Sequence, residues 1–293
     1  MTTQTAGAPA RATLVQFLLS QPWSLWGLQA SRLVRIEVRR NLFSWKAAWI
    51  YFLAFAPTAI ILIHFLFETH PAFQMGDDTN VLAGIIQFYY IRLGVFFGCL
   101  GIFSRLIRGE MIERSLHFYL LSPVRREVLL LAKFVAGSFS ALLLFGSAII
   151  ADFALMYAPF GAAGQEYVFH GPGLGQLEAY VAIVVLACLG YGAVFLLLSM
   201  MFRNPMPAAM LVLGWEAINP VMPSLLQKIS VASYLRHLMP ITVPGEGIFA
   251  LLTVKTEPVS AWVAVLGLVI LTAVVLAYSC LRIRRLEIRY TTD

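Results

Sequence analysis

Three ionisable side chains, Arg92, Asp152 and Glu216, stand inside long apolar stretches of this sequence. A charge at the centre of a bilayer costs about 2.5–3.5 kcal/mol on insertion scales, so each should face protein or water rather than lipid. Arg92 and Glu216 match in depth within their stretches. This favours either a polar pathway that both line, as a pair, or an ion pair that holds two helices together. Asp152 is expected nearer the outer surface.

A second charged group lies in residues 109–133, GEMIERSLHFYLLSPVRREVLLLAK, between two apolar stretches. A short charged helix in such a place can contact a soluble partner and receive force from it, because complementary charges steer and orient docking. An ordinary solvated loop is the alternative. The charged candidates for such contacts are Glu110, Glu113, Arg114, Arg125 and Arg126.

The apolar stretch that contains Arg92 has two further features. Tyr89 and Tyr90 suit contact with an amphiphilic substrate, although anchoring at the membrane interface explains them as well. Gly94 and Gly98 place small residues on one helix face, where another helix can approach closely, either within one chain or across a dimer.

Known catalytic motifs are missing from the sequence. The five histidines are scattered, and neither H-E-x-x-H nor G-x-S-x-G occurs. A phosphate-binding loop of the form G-x-x-x-x-G-K-[ST] is also absent, so any ATP that drives the protein must bind another polypeptide. The three cysteines all fall in apolar stretches and have no metal-ligand spacing. We therefore predict a protein that is not an enzyme and binds no metal or cofactor itself.

The composition indicates which elements hold these residues. Apolar residues make up 60% of the 293 residues, charged residues only 12%, and the mean hydropathy is +0.80. A soluble domain of this length would need a far more charged surface. About 20 apolar residues span a bilayer core as a helix. The sequence therefore predicts an all-α membrane protein with six spans, at 47–67, 83–105, 128–159, 177–202, 206–226 and 260–281.

The net charge of +6 follows the membrane topology. Basic residues are concentrated before the first span, between the second and third, and after the sixth, whereas the opposite connections carry few. Because flanking positive charge is retained on the cytoplasmic side, both termini should be cytoplasmic, in a bacterial-type inner membrane. The same distribution excludes nucleic acid as the reason for the basic balance.

One membrane domain is predicted along the chain, preceded by a short N-terminal part. Residues 1–30 form a tail and an interfacial segment, and residues 31–293 form the six-span domain. Residues 31–46 mix apolar residues with arginines, which is typical of an amphipathic helix on the membrane surface. Between spans five and six, residues 227–258 contain apolar runs too short to cross, which predicts short interfacial or re-entrant helices at the outer face.

The 109–133 segment resembles the signature of type-2 ABC transporter permeases. Glu110 and Glu113 match its two acids, Ser115 stands where threonine is usual, and Pro123 precedes the basic residues. The sequence departs from the signature where Arg114 and Ala132 replace glycines. The remaining matches are Leu116, Leu120, Leu121, Arg125, Arg126, Glu127 and Lys133.

This resemblance implies the transmembrane permease subunit of an ATP-binding-cassette exporter. Two such chains, identical or paralogous, would form the substrate pathway and bind two separate ATPase subunits, which carry ATP and Mg. The 109–127 segment would be the coupling helix, with Ser115 and Pro123 added to its charged contacts. Lipid would surround the dimer, and no nucleic acid is expected as a partner.

Two other classes of function remain open on the sequence alone. An ion-coupled secondary carrier could use Arg92, Asp152 and Glu216, and would follow a proton or sodium gradient without an ATPase. A membrane enzyme or an assembly factor is the third class, against which the missing catalytic motifs speak. The transported substrate, and the choice between homodimer and heterodimer, do not follow from the sequence.

Overall fold

The computed structural model describes residues 22–67, 75–113, 121, 124–219, 222–241 and 260–285. These ranges are almost entirely helical and contain no strand, which confirms the predicted all-α fold. Short 3-10 turns flank several of the helices. The helices are α1 (Trp23–Phe43), α2 (Ala48–Phe67), α3 (Met75–Ile112), α4 (Arg126–Tyr157), α5 (Gly161–Phe169), α6 (Gly173–Met201), α7 (Pro205–Ile218), α8 (Ser224–Gln227), α9 (Val231–His237) and α10 (Ala261–Arg284).

Within the described ranges, five helices are long and apolar enough to cross a membrane: α2, α3, α4 with its extension to Phe169, α6 and α10. The fifth predicted span, 206–226, is different, because α7 ends at Ile218 after 14 residues. The sequence continues Asn219-Pro220 and has a second proline at 223. A proline has no backbone N–H to continue the helical hydrogen bonds, which accounts for the early end.

Helix α3 is not α-helical throughout. Two stretches, Ile85–Gly94 and Arg105–Gly109, have π-helical geometry, with α-helical turns before, between and after them. Such stretches are rare and occur most often at functional sites. The first contains Arg92, Tyr89 and Tyr90, and the second ends directly before Glu110.

The core of the bundle lies where α3, α4 and α6 pack together, and α2 and α10 cover its sides. Glycines permit the closest approaches. A Cβ atom added at Gly98 would overlap the Phe145 ring of α4, and one added at Gly101 would overlap Trp49 of α2. The small-residue stripe of α3 is thus used for packing within the chain, one of the two uses that the sequence allowed.

Helix α1 packs along α4 and buries two polar side chains, Glu37 and Asn41. It begins at Trp23 and passes through residue 30, where the sequence placed a domain boundary. Short helices α8 and α9 follow α7, where the sequence predicted short helices between spans five and six. Helix α9 contacts α6, α10 and the first π-helical stretch of α3.

Candidate functional site

Four charged side chains form an ionic ring where α1, α3 and α4 meet. The Lys133 ammonium donates to Glu37 Oε1 at 2.5 Å and to Glu110 Oε1 at 2.7 Å. Arg40 closes the ring, since it donates to Glu110 Oε1 at 3.0 Å and lies 3.0 Å from Glu37 Oε2. The side chains of Glu37, Glu110 and Lys133 are at most 1% exposed, whereas that of Arg40 is 35% exposed.

Local structure brings the ring together. Glu37 and Arg40 are three residues apart on α1 and therefore share one helix face. Glu110 follows the second π-helical stretch of α3, and Lys133 lies at the beginning of the third turn of α4. Two acids and two bases balance each other, which a buried cluster requires, because an uncompensated buried charge costs several kcal/mol. The ring therefore joins α1 to α3 and α4 at one point.

The ring changes the role expected for Glu110. The sequence predicted its carboxylate as a surface contact for a soluble partner, yet the residue has no exposed surface. Its charge is directed at Lys133 and Arg40 inside the protein. Burial of Glu110 therefore removes it from the docking surface and makes it a link between the end of α3 and the start of α4.

The other acid of the segment behaves differently. Glu113 is 57% exposed and forms an ion pair with Lys46 at 3.3 Å. Exposed pairs of this kind contribute at most about 1 kcal/mol, so either charge can be redirected to a partner at little cost. Nearby, Arg105 donates to the Ser44 hydroxyl at 3.0 Å.

The two basic residues at the start of α4 also differ in exposure, since one faces outward and the other inward. Arg125 is exposed, and its guanidinium lies 4.3 Å from the centre of the Trp26 ring. Arg126 is directed inward and donates to the carbonyl oxygens of Ile283 and Arg284 at the end of α10. Such a cation offsets the negative end of a helix dipole. The predicted contacts Arg114, Ser115 and Pro123 lie outside the described residues.

Asp152 is fully buried in α4 and joins three helices. Thr58 of α2 and Tyr90 of α3 donate to its two carboxylate oxygens, the latter at 2.7 Å. Tyr90 is itself fully buried, whereas both roles that the sequence allowed, contact with an amphiphilic substrate and anchoring at the membrane interface, need an exposed ring. Tyr89 is half-buried and donates to the Leu53 carbonyl oxygen at 2.8 Å.

Glu216 belongs to α7, and its buried carboxylate lies at the N-terminus of α9. Its carboxylate accepts hydrogen bonds from the Ser230 hydroxyl and from the backbone N–H groups of Val231 and Ala232, at 3.0 Å and 3.2 Å. A carboxylate there satisfies free N–H groups and complements the helix dipole. Across the described residues, no ion pair joins Glu216 to Arg92, and the sequence-based hypothesis of a direct pair is not supported by this geometry.

The sequence reasoning did not find Glu37 as a site residue, and it met Lys133 only as part of the family signature. One signal was present. Glu37 is the only acid in the first 67 residues, among several arginines. A single acid in a basic amphipathic helix needs a specific partner when that helix packs on the protein.

The described residues contain no cluster of three or more metal-ligating side chains. No known family model matches the chain, and no curated protein matches it. The apolar helices and their packing define the class of the molecule: it is an all-α, multi-pass membrane protein.

Proposed function

We propose that the chain is the permease subunit of an ATP-binding-cassette exporter, with six spans, cytoplasmic termini and α7 as the fifth span. In this proposal it forms the substrate pathway as a dimer and is driven by separate ATPase subunits. The observation that carries the proposal is the arrangement around residues 113–125. Two exposed charges carry it: Glu113 directly follows α3 and Arg125 directly precedes α4, and the buried Glu110–Lys133 pair of the ionic ring joins the same two helix ends.

The ring gives the proposal a mechanical basis. A partner that pulls on residues 113–125 displaces the end of α3 and the start of α4 together, because Glu110 and Lys133 are joined by a buried ion pair. Glu37 and Arg40 pass the displacement to α1. Breaking a buried pair costs about 3–5 kcal/mol, so the three helix ends move as one unit. Force from ATPase closure then reaches α3 and α4, two of the three helices that build the core of the bundle.

The test is recovery of the ATPase with the tagged full chain, from cells that also produce the ATP-binding-cassette ATPase of a neighbouring reading frame. Glu113→Lys and Arg125→Glu should each lower the recovered ATPase at least tenfold. The matched controls are Glu166→Lys and Lys228→Glu, which change exposed residues of α5 and of the turn after α8 and should change nothing.

Unchanged recovery with both Glu113→Lys and Arg125→Glu would contradict the docking surface. Hydrolysis of ATP by the purified chain alone would contradict the whole proposal. Transport that requires both the chain and the ATPase is the expected positive result.

The ion-coupled carrier stays as a second candidate because of Asp152. Among the described residues, its carboxylate accepts hydroxyl hydrogen bonds and has no basic partner within ion-pair distance, and an ionisable side chain inside a membrane span is a candidate ion site. The three residues named for this function are not joined by contacts, since Glu216 is bound at α9 and Arg92 contacts Phe88. Substrate movement that follows a proton or sodium gradient without the ATPase would favour the carrier.

A further inference from the structure

Two arginine side chains near the first π-helical stretch of α3 form no ion pair with a described acid. Arg92 lies near the middle of α3 and is exposed, and its guanidinium stands 5.6 Å from the centre of the Phe88 ring. Arg236 lies in the last turn of α9, which packs against the same stretch. Neither arginine forms an ion pair or side-chain hydrogen bond with another described residue.

The two guanidinium groups act on each other electrostatically. Burial lowers the pKa of Arg236, and the positive charge of Arg92 lowers it further, while Glu216 and Tyr191 act in the opposite direction. Like charges disfavour each other's charged form in this way. Because α9 packs against the π-helical stretch that holds Arg92, the two cations share one electrostatic environment, although they belong to different helices.

The described charged groups around Arg92 and Arg236 do not balance each other. Glu216 is the acid that acts on Arg236, and its carboxylate already accepts three hydrogen bonds at the start of α9. Among the residues that the structure describes, these two cations and this one acid leave an excess of one positive charge. At the depth of Arg92, an unbalanced charge on a lipid-facing surface is expensive, so its exposed face should meet water or a ligand.

The surroundings of Arg92 are amphipathic. Phe88 and Leu93, beside it on α3, are 38% and 42% exposed. A guanidinium presents several N–H donors in a planar fork that matches phosphate oxygens, and exposed apolar side chains beside it can cover an alkyl chain. A ligand that carries both an anionic head and a hydrocarbon tail would satisfy the excess charge and cover the apolar surface together.

We propose that Arg92 and Arg236 form a binding site for the phosphate headgroup of an amphiphile, with Phe88 and Leu93 against its hydrocarbon chain. The site rests on the proposed function, in which this face of α3 lines the substrate pathway. The occupant is a transported alkyl phosphate or a phospholipid of the bilayer, which share this headgroup chemistry.

The experiment uses the purified full chain in phosphatidylcholine nanodiscs, with dodecyl phosphate as the probe. Unfolding is followed by the fluorescence of the six tryptophans. Dodecyl phosphate should raise the unfolding temperature in a saturable way, and dodecanol should not. Arg92→Gln and Arg236→Gln should each weaken the apparent affinity at least tenfold. Arg92→Lys, which keeps the charge but lacks the planar fork, should weaken the affinity less than Arg92→Gln does.

Arg203→Gln is the matched control, since Arg203 is exposed between α6 and α7. It should bind dodecyl phosphate like the original chain. Equal affinity in Arg92→Gln and Arg236→Gln, or no saturable effect in the original chain, would overturn the site. If the glutamine variants fail to fold, a photoactivatable alkyl phosphate on the original chain decides instead. Crosslinks confined to other helices would overturn the site, and crosslinks near Phe88 would support it.

Nanodiscs of phosphatidylglycerol separate the two sources of the headgroup. If they abolish the effect of added dodecyl phosphate, a bilayer phospholipid occupies the site; if the effect persists, the site selects a separate amphiphile. Both results support the anionic site. Binding is measured without the ATPase, so its loss alongside normal ATPase recovery overturns only this inference, and lost ATPase recovery alongside normal binding overturns only the proposed function.

Discussion

Replacing Lys133 by methionine tests the ionic ring most directly, because the change removes one charge and little volume. Lys133 contacts two carboxylates, at 2.5 Å and 2.7 Å, and is 1% exposed. At an effective dielectric constant of about 20, each contact contributes about 6 kcal/mol of Coulomb attraction. The free-energy cost of removing the Lys133 ammonium from water offsets most of this Coulomb attraction. Breaking a buried pair by removing one partner costs about 3–5 kcal/mol, and we expect this loss for Lys133→Met.

The assay is reversible unfolding of the purified chain in mixed micelles, followed by tryptophan fluorescence. Lys228→Met is the matched control, because Lys228 is exposed and its replacement should change the free energy of unfolding by less than about 0.5 kcal/mol. Adding Glu110→Gln to Lys133→Met restores a neutral ring, which then contains Glu37 and Arg40. The double variant should therefore be at least about 1 kcal/mol more stable than the sum of the single losses predicts.

Two results would refute the reasoning about the ring. If Lys133→Met cost no more than Lys228→Met, the buried ion pairs would not hold the helix ends together. If the losses from Lys133→Met and Glu110→Gln were strictly additive, the two side chains would not interact directly. Either result would also remove the mechanical link that the proposed coupling needs.

Three further predictions concern the core, in the same unfolding assay. Gly98→Ala should cost about 1–3 kcal/mol, because its methyl group would overlap an aromatic ring of α4, while Gly175→Ala, with open space around it, should cost far less. Tyr90→Phe should cost about 1–3 kcal/mol, since it removes a hydrogen bond to the buried aspartate of α4; a neutral effect would refute that bond. Losses from Arg92→Gln and Glu216→Gln should add to within about 0.5 kcal/mol, and recovery in the double variant would reveal a direct pair.

Apolar stretches predicted the long helices well because a membrane-spanning helix is specified by length and hydrophobicity alone. Predicted spans 47–67 and 260–281 correspond closely to α2 (Ala48–Phe67) and α10 (Ala261–Arg284). The end of α7 was misjudged because an apolar stretch continues past a helix-breaking proline. A hydropathy average does not register the missing N–H of a proline, so only Pro220 and Pro223 could have shown that the helix ends early.

Side-chain partners were harder to predict than helices. The sequence places Glu37 and Lys133 almost one hundred residues apart, and nothing in their local patterns pairs them. Glu110 was interpreted from its charge, which favours a surface position, although a buried carboxylate is stable when cations surround it. Glu216 was matched to Arg92 by depth, yet backbone N–H groups, which no residue pattern displays, satisfy its carboxylate.

The π-helical stretches of α3 have a consequence for how this helix can change shape. A π turn closes its hydrogen bonds over one more residue than an α turn. Exchange of one pattern for the other at Ile85–Gly94 would therefore rotate the part of α3 after Gly94 about the helix axis, relative to the part before Ile85, and would also change the length of the helix. Side chains of α3 after Gly94 would then face new directions within the bundle.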